Sequence, residues 1–126
     1  MTIREAAAVL GAEIVQGDFE DANLAWAYTS DLLSDVMAHA GKAAKNAATD
    51  ESAASNSCAG TMITIQAHKN TVAVASLLDI SAIIICNARP ILDDMLEAAR
   101  DEGIAIILSK ENQFTVSGKL YALLTA

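Results

Sequence analysis

The sequence predicts an α/β fold: a single layered domain with a mostly parallel central sheet of about five strands and flanking helices. The first observation is a pattern of strand, turn and helix that repeats three times in the second half. An apolar run at 60–66 leads into a helical stretch ending near Asp79, 81–87 leads into 90–102, and 104–109 leads into 112–124. Short, continuously apolar strands separated by helices are the mark of a parallel layer covered on both faces. The second observation is composition: 53% hydrophobic residues, much Ala, 4% aromatics and one Pro suit helices packed on a sheet and not a β-sandwich. At 126 residues the chain makes one domain, large enough to bury a core without disulfides or metals.

The elements follow in order. Thr2 caps a helix through Leu10, with Glu5 three residues on completing a capping box and Gly11 ending it. Residues 12–15 read as a strand closed by Gly17 and Asp18, and 24–28 as a second strand. In that alternating strand Trp26 and Tyr28 point to one face, as core or contact residues. Ser30 is placed to cap the next helix, with Asp31 and Asp35 near its positive end and Leu32, Leu33, Val36 and Met37 as its apolar face. From 41 to 59 the composition turns to Ala, Ser, Asn, Lys and Asp with no large apolar residue. This segment reads as an insertion, helical to about Ala48 and then a loop.

Charge and motifs exclude several functions. A formal net charge of −8 with eight scattered basic residues argues against nucleic acid. No apolar run is long enough to span a bilayer, and the opening residues carry no signal core, so a cytoplasmic protein is expected. Cys58 and Cys86 read as reduced structural thiols. His39 and His68 have no Cys or Glu at zinc-ligand spacing, and the pairs Asp31/Asp35 and Asp93/Glu97 read as dipole complements, so no metal is expected. No nucleophile has a neighbouring base signature, and neither glycine-rich phosphate motif occurs. No catalytic residue and no cofactor is predicted.

The candidate ligand site lies where parallel strands end. Their carboxyl ends gather on one edge, beside helix starts whose free N–H groups favour an anion. Lys69 and Asn70, Asn87 and Arg89, and Ser109 and Lys110 fall in the three turns. They form a candidate anion site, with capping by Asn70, Asn87 and Asn112 as the plain alternative. Pro90 suits a first helical position.

Three stretches carry a family resemblance: 28–37 (YTSDLLSDVM), 74–84 (VASLLDISAII), and 102–109 followed by Phe114 and 118–121. Together they resemble the DRTGG-domain family over the whole chain except 41–59. That family resembles the amino-terminal domain of HPr kinase/phosphorylase, and also occurs in some phosphotransacetylases and CBS-domain pyrophosphatases. The motif that names it is replaced here. Ala67, His68, Lys69 and Asn70 stand where Asp-Arg is expected, and Cys86, Asn87, Ala88, Arg89 and Pro90 where Thr-Gly-Gly is expected. The resemblance implies a regulatory or interaction module without activity of its own, commonly dimeric, acting with a partner enzyme in trans. The alternative is a sensor of an anionic small molecule, a nucleotide or phosphorylated metabolite, held at the strand-end edge. Leu24, Trp26 and Tyr28 are the candidate contact surface.

Overall fold

The computed structural model describes residues 1–48 and 59–126, with side chains described outside 43–58. Ten elements follow one another: α1 (Ile3–Leu10), β1 (Glu13–Gln16), β2 (Leu24–Thr29), α2 (Leu33–Ala48), β3 (Ala59–Thr64), α3 (Lys69–Leu77), β4 (Ile80–Ile85), α4 (Asp93–Glu102), β5 (Ala105–Leu108) and α5 (Gln113–Leu124). The five strands form one sheet in the order β1-β5-β4-β3-β2. β2, β3, β4 and β5 are mutually parallel, and β1 closes one edge antiparallel to β5. The chain is thus α/β, a single small domain with a mostly parallel sheet and helices on both faces.

Burial follows from the strand sequences. In β3 all six residues are buried, and in β4 all but Ser81, because helices cover both faces. One core layer packs Ile3, Ala6, Ala7 and Leu10 of α1 and Val116 and Leu120 of α5 against Ile63, Ala82, Ile84 and Ile107. The opposite layer packs Val36 of α2, Val72 and Ala75 of α3, and Met95 and Ala99 of α4 against Met62, Ile83, Ile85 and Ile106.

Local chemistry explains the helix ends. The Thr2 hydroxyl accepts from the Glu5 N–H at 3.2 Å, the Glu5 carboxylate accepts from the Thr2 N–H at 3.3 Å, and Gly11 ends α1 at φ 64°. Asn112 caps α5 by accepting from Thr115 N–H at 2.8 Å. Two expected starts are corrected. α2 begins at Leu33, so Ser30 and Asp31 lie in the loop after β2, where the Ser30 hydroxyl accepts from Leu32 N–H. α4 begins at Asp93, three residues past Pro90.

Trp26 and Tyr28 share one face of β2, as expected. The register shifts between Leu24 and Trp26, so Leu24 joins the α1/α5 layer while Trp26 and Tyr28 pack on the other. Trp26 lies directly over Gly60, where any Cβ would collide with the indole ring. Helix α2 does run to Ala48, through the first part of the Ala-rich segment. The expected loop beyond it, and Cys58, lie outside the described residues.

Candidate functional site

The parallel strands β2, β3, β4 and β5 deliver four strand-to-helix turns to one edge of the sheet. The centre of that edge is Asp31. Its Oδ1 accepts three hydrogen bonds: from Thr64 Oγ1 at 3.0 Å, from Ile65 N–H at 2.9 Å and from Gln113 Nε2 at 2.8 Å. Its backbone carbonyl accepts from Gln66 Nε2 at 2.9 Å. One carboxylate therefore ties the loop after β2 to the end of β3 and the first residue of α5. The Thr64 hydroxyl, fully buried, also accepts from Gln66 N–H, and Thr71 Oγ1 donates to the Gln66 carbonyl at 2.7 Å. Charge-assisted bonds of this kind are stronger than neutral ones. Asp31 acts here as a structural acceptor.

The turns after β4 and β5 are joined through backbone. Asn87 N–H donates to the Glu111 carbonyl at 2.9 Å, and Ala88 N–H to the Ser109 carbonyl at 2.8 Å. To reach these acceptors Asn87 and Ala88 take φ of 61° and 50°. Asparagine adopts this left-handed backbone readily, whereas for alanine it costs about 1–2 kcal/mol. Ser109 is buried, and its hydroxyl accepts from Glu111 N–H at 3.1 Å.

The six candidate ligand residues are dispersed along this edge. Lys69 and Asn70 line a cleft of 220 Å³ with Ala67, His68, Leu92 and Asp94. Ser109 and Lys110 line another, of 410 Å³, with Leu10, Gly11, Glu13, Ala88, Leu108 and Glu111. The two clefts share no residue, and Asn87 and Arg89 lie exposed in the turn after β4. Of the three asparagines, only Asn112 is a cap. Asn70 sits inside α3, whose N-cap is His68 without a side-chain bond, and Asn87 holds the left-handed turn.

Among the contact candidates, Leu24 and Trp26 are each 7% exposed and belong to the core. Tyr28 is half-buried, and its hydroxyl donates to Asp35 Oδ2 at 2.7 Å. That bond is the main reason the Asp35 carboxyl titrates below its ordinary range, and it pushes the Tyr28 phenol up. The His39 ring meets Asp35 Oδ1 at 3.0 Å. Burial first, and the Asp31 charge second, push the Cys86 thiol up to about 11. Among the described residues no group of three or more His, Cys, Asp or Glu is arranged to hold a metal. No described helix is long and apolar enough to cross a membrane.

Sequence reasoning missed the apolar rim of this edge. Leu32 and Phe114 are both exposed, and each is the chain neighbour of one partner in the Asp31–Gln113 bond. Leu92 is exposed just before α4, and Tyr121 lies exposed two turns along α5 from Phe114. An isolated aromatic between Gln113 and Thr115 carried no signal before the burial of Val116 and Leu120 set the inner face of the helix. No protein-family model matches this chain, and no curated protein matches it.

Proposed function

We propose that this chain is a non-catalytic interaction module of the DRTGG type, which pairs with a second copy and regulates a separate partner enzyme. The observation that carries this reading is the distribution of its edge chemistry. The polar groups at the strand ends hydrogen-bond one another through Asp31, while large apolar side chains at the same edge face solvent. Exposed apolar clusters rimmed by polar groups mark association surfaces. The family reading gains support from Asn87 and Ala88. They lie within the stretch 86–90 where that family's Thr-Gly-Gly is expected, and both adopt the left-handed backbone that glycine takes without strain. Light scattering after size exclusion tests the pairing: at about 100 µM a species of twice the chain mass is expected. A monomer at that concentration contradicts it.

A second reading, a sensor of an anionic small molecule, has one observation in its favour. The 410 Å³ cleft places Lys110 beside the polar backbone of Ala88 and Ser109. Glu13 and Glu111 line the same cleft and oppose an anion there. A thermal-shift screen with nucleotides and acyl phosphates tests it. Stabilisation that disappears in Lys110→Ala supports this site, and a flat screen removes it.

A further inference from the structure

The sheet ends on one side at β2, and the first part of that edge is already paired. Strand order places β2 outermost. Leu24 N–H donates to the Met1 carbonyl at 2.8 Å, Ile3 N–H donates to the Ala22 carbonyl at 3.1 Å, and Thr2 bridges Asn23 antiparallel. That short ladder reaches only as far as Leu24. Past the register shift, pairing with β3 is regular, from Trp26 opposite Gly60 to Thr29 opposite Ile63. Ser30 N–H donates to the Ile63 carbonyl at 3.2 Å, so by alternation Tyr28 and Trp26 also turn their backbone groups toward β3. Ala27 and Thr29 therefore turn theirs outward, N–H and C=O alike, and no described residue bonds them there. Ala27 is half-buried and Thr29 exposed.

Backbone groups in this arrangement select their partner by geometry. Donor and acceptor repeat at every second residue, roughly 6.8 Å apart, and an extended chain presents the complement at that spacing. Native edges are usually blunted by charge, brevity or a bulge. The opposite edge is blunted in all three ways: β1 has four residues, begins at exposed Glu13 and breaks register between Ile14 and Gln16. Residues 22–30 contain no charged side chain and no proline, so nothing there repels an added strand. The pairing of residues 1–3 sets the direction, since continuing that ladder along 25–29 is antiparallel. An added strand also covers the half-buried Tyr28, beside which a β-branched side chain packs well.

Charge then selects the source of that strand. Exposed Asp18, Glu20 and Asp21 precede β2, with Arg4 as the basic group bonded to this loop. Asp31 and Asp35 follow β2, and His39 is the one basic side chain paired there among the described residues. A second copy of β2 laid antiparallel would bring the acidic stretch 18–21 of one chain toward Asp31 and Asp35 of the other, carboxylate against carboxylate. A segment with a basic residue at each end meets the opposite sign at both. We propose that the free edge of β2 takes an extended segment of a partner protein, antiparallel along 25–29, with a β-branched residue beside Tyr28 and Lys or Arg at both ends. This rests on the reading of the chain as an interaction module, and it names where the partner, as distinct from a second copy, attaches.

The test reads amide hydrogen exchange on the full chain by NMR, with the capped peptide Lys-Thr-Val-Thr-Val-Thr-Lys as probe. In the free protein the Ala27 and Thr29 amides should exchange about tenfold faster, or more, than those of Trp26 and Tyr28, which face β3. Few groups engage, so a dissociation constant on the order of 10⁻⁴ M is expected, and about 10⁻³ M peptide should slow Ala27 and Thr29 roughly tenfold. The same peptide with glutamate at both ends should leave them unchanged. Methylating the peptide's valine amides and, separately, its threonine amides should abolish the effect in one case only, because alternate residues face β2. Slow exchange at Ala27 and Thr29 without peptide overturns the free edge. Protection that grows with protein concentration alone makes a second copy the occupant and overturns the partner segment. Equal effects from both flank chemistries, or no effect from either, overturn the proposal as well. None of these results removes a dimer seen by light scattering, whereas a monomer there removes the pairing and leaves these amides responsive to the peptide.

Discussion

Asp31 concentrates the geometry of the strand-end edge on one oxygen atom. Removing it leaves the buried Thr64 hydroxyl and the Ile65 N–H without their acceptor. Asp31→Ala should therefore destabilise the fold by about 1–3 kcal/mol, read by urea denaturation. Tyr28 acts on a second carboxylate. Its hydroxyl bond is the largest influence holding Asp35 below the ordinary 3.8, so Tyr28→Phe should move that titration upward, measured by carboxyl NMR. The sign for stability follows. A depressed folded-state value contributes stability that is present above 3.8 and lost as pH falls through the folded value. In Tyr28→Phe that contribution is smaller, and its loss is complete at a higher pH. Cys86 runs the other way, since its thiol is raised from 9.0 to about 11. Its contribution is complete below pH 9 and disappears as pH rises from 9 through 11.

At the scale of elements, packing between β2 and β3 is set by a large residue against a missing one. Trp26 fills the space over Gly60, so Gly60→Ala should cost about 1–3 kcal/mol by overpacking, with Trp26 fluorescence reporting the displaced ring. The same region shows where sequence reading stops. Five strands, five helices and the Thr2 and Asn112 caps were legible because each rests on local signals: apolar runs, capping residues and the glycines at 11 and 103. The face of Leu24 was not legible. A register shift beside it reverses the alternation, and such a shift depends on the partner strand. The starts of α2 and α4 fall late because Ser30, Asp31 and residues 86–90 are used to build the edge. Within the candidate site, the polar turn residues could be named in advance. Their dispersal into separate clefts could not, nor could the role of Asp31, whose side-chain partners Thr64 and Gln113 lie 33 and 82 residues away.

For the molecule as a whole, the two helical layers are unequal. Three helices cover one face of the sheet, while α1 and α5 cover the other. The outer side of α5 keeps the Phe114 and Tyr121 rings exposed on a chain of net charge −8. Raising ionic strength should strengthen the pairing, because it screens repulsion between like-charged copies and leaves apolar contact intact. The most direct test of this account is a dilution series followed by two-dimensional NMR. The account predicts that amide signals around Leu32 and Phe114, the exposed apolar residues beside the Asp31 edge, move with concentration while those of α3 and α4 stay fixed. Signals that are independent of concentration everywhere, or that move only on α3 and α4, would contradict it.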